Sequence, residues 1–227
     1  MIINSLNKPG IYHKSKNIKN QDFVLSDENE KFCVIALADG VSSCKMSGEG
    51  AEISCKTLVK LFLERGNFFF NSDIHRYKRE MSELILSYIL SELAKKSDNI
   101  KEYSSTISSV IYNKENNKIL CFNLGDGIII SNKCDKAEII IKPYQNDDGC
   151  CVTTTVNAEF AFDIEIFDFA SMDTIMILSD GAWKPIFENK NFSFIQNGIS
   201  FSELNNYLDS IKCLDDYSYI SITKGGF

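Results

Sequence analysis

Two long amphipathic stretches, followed by a run of short β-branched ones, constrain this chain most. Residues 47–65 (SGEGAEISCKTLVKLFLER) repeat apolar side chains at helical spacing through Ile53, Leu58, Leu61 and Phe62, with Gly66 and Asn67 set to stop the helix. Residues 72–97 predict a second helix. Ser72 and Asp73 open it, and Met81, Leu84, Ile85, Tyr88, Ile89 and Leu93 form its apolar stripe. Ahead of the pair, residues 31–38 (KFCVIALA) form a near-continuous apolar run that reads as a buried strand ending at Asp39-Gly40. Behind it come strands at 105–112, 118–123 and 127–131, separated by the polar stretch 113–117 and by Gly125-Asp126. Further strands are expected at 137–141, 151–156, 163–167 and 174–178, helices at 183–188 and 202–211, and a last alternating strand at 218–223. Helices bunched in this way do not follow the alternation of a doubly wound parallel sheet. The order predicts mainly antiparallel sheets covered by helices, in the α+β class.

With 227 residues the chain is long enough for one full core, and neither an internal repeat nor a linker divides it. One domain over residues 1–227 is therefore expected. A formal charge of -7 and the lack of a basic stripe argue against a nucleic-acid partner. No apolar run reaches membrane-spanning length, and the first residues (MIINSLNKPGIYHK) contain no signal-like apolar region, so a cytoplasmic protein without membrane contact is expected. The 8 cysteines show no C-x-x-C spacing, and His13 and His75 are too few to complete zinc sites, so the thiols are read as reduced and mostly buried. His13 is placed in an N-terminal loop and His75 in a helix, both without a chemical role. Trp183 and Phe68-Phe69-Phe70 are assigned to the core.

Several catalytic signatures are absent. There is no P-loop, no G-x-S-x-G elbow, no H-E-x-x-H, and no cysteine followed by arginine six residues on. What the chain does have is aspartates where strands begin or end. Asp22 opens a strand, Asp39 closes VIALA, Asp126 sits between two strands, Asp180 follows TIMIL, and Asp215-Asp216 precede the last strand. Carboxylates converging from strand ends repel one another unless cations join them. An all-oxygen set of this kind favours Mg²⁺ or Mn²⁺.

These motifs, in this order, resemble the metal-dependent protein phosphatases of type 2C, in a short bacterial-type form. NQDF, VIALADGVSS with SGEGAEISC, SSTISSVIY, CFNLGDGIII, IMILSDGAW and DDYSYISI each match a motif of that family, and together they cover nearly the whole chain. The resemblance implies a four-layer α-β-β-α sandwich of two mainly antiparallel sheets flanked by helix pairs. It implies two Mn²⁺ or Mg²⁺ ions, one held by Asp39, Asp180 and Asp215, the other by Asp22, Asp39 and the carbonyl of Gly40. Asp126, with Asp180, matches a weaker third-ion position. Asp39 and Asp180 would carry catalysis, the hydrolysis of phosphoserine and phosphothreonine in proteins by a water bridging the two ions. The implied partners are phosphorylated proteins, substrates of a serine/threonine kinase, and the implied form is a monomer.

The chain departs from the family pattern in several places. Asn17 stands where many relatives carry a phosphate-binding arginine, and Lys16 and Lys19 beside it are candidate substitutes. Gln21 takes a position that is often acidic, and Val41 one that is sometimes histidine. Lys184 replaces a further aspartate, which should weaken the third ion, or else lets the lysine reach substrate phosphate. Residues 143–149 match the family's flap and are few. These departures define an alternative, a catalytically weak phosphatase-like binding or sensing module.

Overall fold

The computed structural model describes residues 1–133, 136–144, 150–188 and 201–225. Among the described residues, ten strands form two five-stranded sheets. The first holds β2 (Phe23–Glu28), β3 (Phe32–Ala38), β4 (Ile107–Asn113), β5 (Lys118–Leu124) and β8 (Asp163–Asp168) in the order β2-β3-β4-β5-β8. The second holds β1 (Ile2–Lys8), β6 (Ile128–Lys133), β7 (Lys136–Ile141), β9 (Thr174–Leu178) and β10 (Tyr217–Thr223) in the order β1-β10-β9-β6-β7. Every pairing is antiparallel.

The continuous apolar run of β3 has a direct cause: both of its faces are covered. Val34 and Ala36 face helices α2 (Ser47–Asn71) and α3 (Ile74–Ala94), packing with Leu58, Phe62, Ile85 and Ile89. Cys33, Ile35 and Leu37 face the other sheet and meet Ile129, Ile175, Ile177, Ile220 and Ile222. The outer side of the second sheet carries α4 (Asp180–Glu188) and α5 (Phe201–Ser210), whose Ala182, Ile186, Leu204 and Leu208 pack on Ile128, Met176, Leu178 and Tyr219. Three apolar layers thus separate four layers of secondary structure, the α-β-β-α sandwich that the motif order implies.

Several expectations need correction. In place of the N-terminal loop expected around His13, the chain forms β1 and the short helix α1 (Ile11–Lys16). His13 is therefore helical and buried rather than in a loop. Gly66 marks a break and not the end of α2: the helix kinks there, with non-helical angles at Arg65, and a second helical piece runs on to Asn71. The glycine also serves close packing, since a Cβ there would lie 2.7 Å from the ring of Phe32. Asp73 caps α3 as expected, accepting from the Arg76 N–H, but the helix ends at Ala94. Residues 151–156 form turns, not a strand. The Thr155 hydroxyl accepts from Val152 N–H and the Thr155 N–H returns to Val152 C=O, and this local closure competes with a sheet ladder. Phe69 is core but Phe68 is exposed. Seven cysteines are described and all are free thiols; Cys134 lies outside the described residues, as do residues 145–149 of the expected flap. Among the described residues no helix is long and apolar enough to cross a membrane.

Candidate metal centre and active site

Antiparallel pairing brings the aspartates to one end of the sandwich. Residue 23 pairs with 38, 37 with 108, and 107 with 124, so the start of β2, the end of β3, the start of β4 and the end of β5 share an edge. In the other sheet Leu178 pairs with both Ile128 and Tyr219, so the end of β9 and the starts of β6 and β10 share an edge. Asp22, Asp39, Asp126, Asp180 and Asp215 are each attached within a few residues of these ends.

The backbone around each aspartate is fixed by named partners. Asp39 N–H donates to the Thr106 hydroxyl (3.0 Å) and Thr106 N–H donates to Asp39 C=O (2.8 Å), which clamps the end of β3 to the start of β4. Gly40 bridges to Ser105 in the same register. The turn carrying Asp126 is shaped by the buried Asn123 amide, which donates to the carbonyls of Gly125 and Gly127. The Trp183 indole N–H donates to the Asp126 carbonyl (2.8 Å). Gly181, next to Asp180, approaches the last strand so closely that a Cβ would meet the Asp216 carbonyl at 2.0 Å.

Asp216 joins the ligand-bearing segments. It is 2% exposed, and its carboxylate accepts from Gly10 N–H (2.8 Å) and Gln21 N–H (2.7 Å). His13 Nδ1 lies 2.8 Å from the same carboxylate. One buried aspartate therefore ties α1, the Asp22 segment and the start of β10 together. Sequence reasoning missed this group. The only available signal was a second acidic residue beside Asp215, which on its own reads as a solvated turn.

The carboxylates act on one another strongly. Burial pushes the Asp22 carboxyl up to about 7, and the charges of Asp216 and Asp180 add to the push. Asp39 is held well above the carboxylate range, first by burial and then by the charges of Asp22 and Asp180. Asp126 is raised by burial and by Asp180, with Lys184 opposing, and Asp215 by burial and Asp180. Among the described residues no three His, Cys, Asp or Glu side chains form a closed metal cage. The cluster is instead a chain of neighbouring carboxylates, with Asp180 at its centre.

Its donor set suits a hard divalent cation. Asp22 is 4% exposed, yet no donor meets either carboxylate oxygen in hydrogen-bonding geometry, and the buried Oδ1 of Asp180 is likewise unmet. Buried carboxylate oxygens without donors are costly, and a divalent ion is the partner that fits several at once. The remaining candidates fall in different places. Lys184 Nζ lies 2.7 Å from Asp180 Oδ2 and 4.0 Å from Asp126 Oδ2. Asp215 opens to solvent at the edge of the group. Lys16 and Lys19 are exposed, and among the described residues neither forms an ion pair. Asn17 takes the left-handed conformation that ends α1. Cys150 neighbours Asp126, which together with burial raises its thiol pKa.

Fold and site together define an α-β-β-α sandwich with an acidic cluster at the ends of its strands. The family model described as protein phosphatase 2C matches residues 9–213. The chain belongs to the protein phosphatase 2C family. Solved structures agree with the fold. The serine/threonine phosphatase Stp1 from Staphylococcus aureus matches with a TM-score of 0.73 at 13% identity, over 99% of this chain and 95% of the other. A serine/threonine phosphatase of S. agalactiae matches with a TM-score of 0.70 at 17% identity, over 98% and 99%. RsbX, solved in complex with magnesium, matches with a TM-score of 0.59 at 13% identity, over 96% and 92%. No curated protein matches the chain.

Proposed function

We propose that the protein is a metal-dependent serine/threonine protein phosphatase, hydrolysing phosphoserine and phosphothreonine in proteins with Mn²⁺ or Mg²⁺. The observation that carries this reading is the set of buried, donorless oxygens on Asp22 and Asp180 within a protein phosphatase 2C fold. In this reading Asp39, Asp180 and Asp215 would hold one ion. Asp22, Asp39 and the Gly40 carbonyl would hold the other. Bound divalent ions supply an activated water and offset charge on the phosphoryl group.

The chain's own residues prepare that site. Thr106 fixes the backbone of Asp39, so its carboxylate leaves a rigid strand end and not a loose loop. Asp216 fixes Gln21 and with it the neighbouring Asp22. Lys184 draws Oδ2 of Asp180 to one side while Oδ1 stays without a donor. The exposed Lys16 and Lys19 add positive charge beside Asn17, where a phosphate would approach. The same reading makes residues 1–227 one catalytic unit, cytoplasmic and monomeric, with the products of a serine/threonine kinase as substrates.

One observation favours a second reading. The Lys184 ammonium already engages Asp180, an expected ligand, and that contact suits a weak phosphatase-like sensing module. The purified protein separates the two when given a phosphothreonine peptide panel, with Mn²⁺ and then with excess EDTA. Hydrolysis that needs Mn²⁺ and stops with EDTA is expected. Turnover that persists in EDTA would remove the metal from the reaction, and a protein that binds Mn²⁺ without any turnover would leave the sensing module.

A further inference from the structure

We infer that Lys184 is a tethered cation standing between Asp126 and Asp180, so that the chain's own ammonium occupies, with half the charge, the place a third divalent ion would take. The inference rests on the proposed two-ion reading and adds to it.

The geometry begins with helix α4. Asp180 is its first residue and Lys184 lies one turn on, the i,i+4 spacing that sets two side chains on the same face. Nζ sits 2.7 Å from Asp180 Oδ2, within charge-assisted hydrogen-bond distance, and 4.0 Å from Asp126 Oδ2 in the other direction. Asp126 lies in the turn between β5 and β6, and Asp180 follows β9, the strand paired with β6, so this contact between distant parts of the chain is made by the tertiary fold.

Neighbouring groups keep the ammonium there. Trp183 holds the Asp126 backbone through its indole N–H, and its ring stands 6.0 Å from Nζ. Cys150 also neighbours the Asp126 carboxyl. A lysine ammonium is a compact point charge with three donors, able to face two carboxylates at once.

Asp180 is thereby divided. Oδ2 is taken by the lysine, and the buried Oδ1 is left without a donor. A lysine that served only the surface would leave both oxygens in one state. A divalent ion entering between Asp126 and Asp180 would meet the ammonium as a like charge at contact distance.

The test is a count of bound metal. Equilibrium dialysis against saturating Mn²⁺, with free Mn²⁺ read by electron paramagnetic resonance, is run on the full chain and on Lys184→Met and Lys184→Gln. Lys184 is about a third exposed, with a side-chain value of 34%, so neither change opens the core, and circular dichroism checks the fold. The wild type should saturate at two ions and each variant at one more. Adding Asp126→Asn to Lys184→Met should return the count to the wild-type value. Equal counts in the wild type and both variants overturn the inference, as does a wild type that already takes three. A raised KM for phosphopeptide with an unchanged count also overturns it, and makes Lys184 a phosphate contact. A wild type that binds no Mn²⁺ defeats the two-ion reading itself, and is told apart by its count of zero.

Discussion

Two apolar strands end in Asp-Gly, and the fold treats the two aspartates differently. At the end of β3, Asp39 is locked through its backbone, bonded in both directions to Thr106, and no cation among the described residues touches its side chain. At the end of β9, Asp180 opens helix α4 and meets a lysine one turn later. The same dipeptide thus yields one carboxylate held rigidly and left uncompensated, and another whose charge is half answered. The strand that follows decides the first case and the helix that follows decides the second.

The largest effect expected from breaking this comparison is on turnover. Asp39→Asn and Asp180→Asn should each lower phosphopeptide hydrolysis by more than about 100-fold, the upper end of what losing an outer partner of a metal site costs. Asp39→Asn should be the more severe, since the reading assigns Asp39 to both ions. Steady-state kinetics at moderate Mn²⁺ measures both. Near-ordinary rates in either variant would show that the carboxylate is no ligand.

The next effect is on stability without metal. Burial pushes the Asp22 carboxyl from its ordinary 3.8 up to about 7, so across that range the folded state holds a proton that the unfolded state has lost. Its destabilising contribution grows as pH rises from about 4 and is complete above about 7, reaching a few kcal/mol. In EDTA, the melting temperature should therefore fall as pH rises across that window, and Asp22→Asn should flatten the fall. Scanning calorimetry between pH 5 and 8 reads this directly. An equally steep fall in Asp22→Asn would place the cause elsewhere.

The smallest effect sharpens the β3 side alone. Thr106→Val removes the hydroxyl that accepts from Asp39 N–H and keeps nearly the same shape. It should cost about 1 kcal/mol in stability and weaken Mn²⁺ binding by about tenfold. Chemical denaturation and calorimetric titration give the two numbers. A stability loss with no change in Mn²⁺ affinity would make Thr106 a part of the sheet only.

Much of the fold is legible in the residues themselves, because burial leaves a period in the sequence. The run FCVIALA could only be a strand covered on both faces, and the stripe from Met81 to Leu93 could only be a helix with one buried side. Legibility fails where local chemistry competes. The threonines at 153–155 look like strand residues, yet a hydroxyl and a turn close on one another there. Gly66 reads as a helix stop and marks only a kink at Arg65, beyond which α2 runs on close to Phe32. β1 escapes notice because it is an edge strand, with most of its residues open to solvent and so no sharp period.

The site divides in the same way. Asp22, Asp39, Asp126, Asp180 and Asp215 stand out in sequence because each sits where an apolar run begins or ends, and alternating antiparallel strands return every second end to one edge. That much the order of residues determined. What only the tertiary structure decided is which groups share a space across the two sheets. Asp216 accepts from Gly10 and Gln21, some two hundred positions away in the chain, and Lys184 reaches Asp126 in the turn between β5 and β6. Sequence pattern records what is buried and at what period. Charge pairing depends on distance across the packed sheets, and no local period carries that distance.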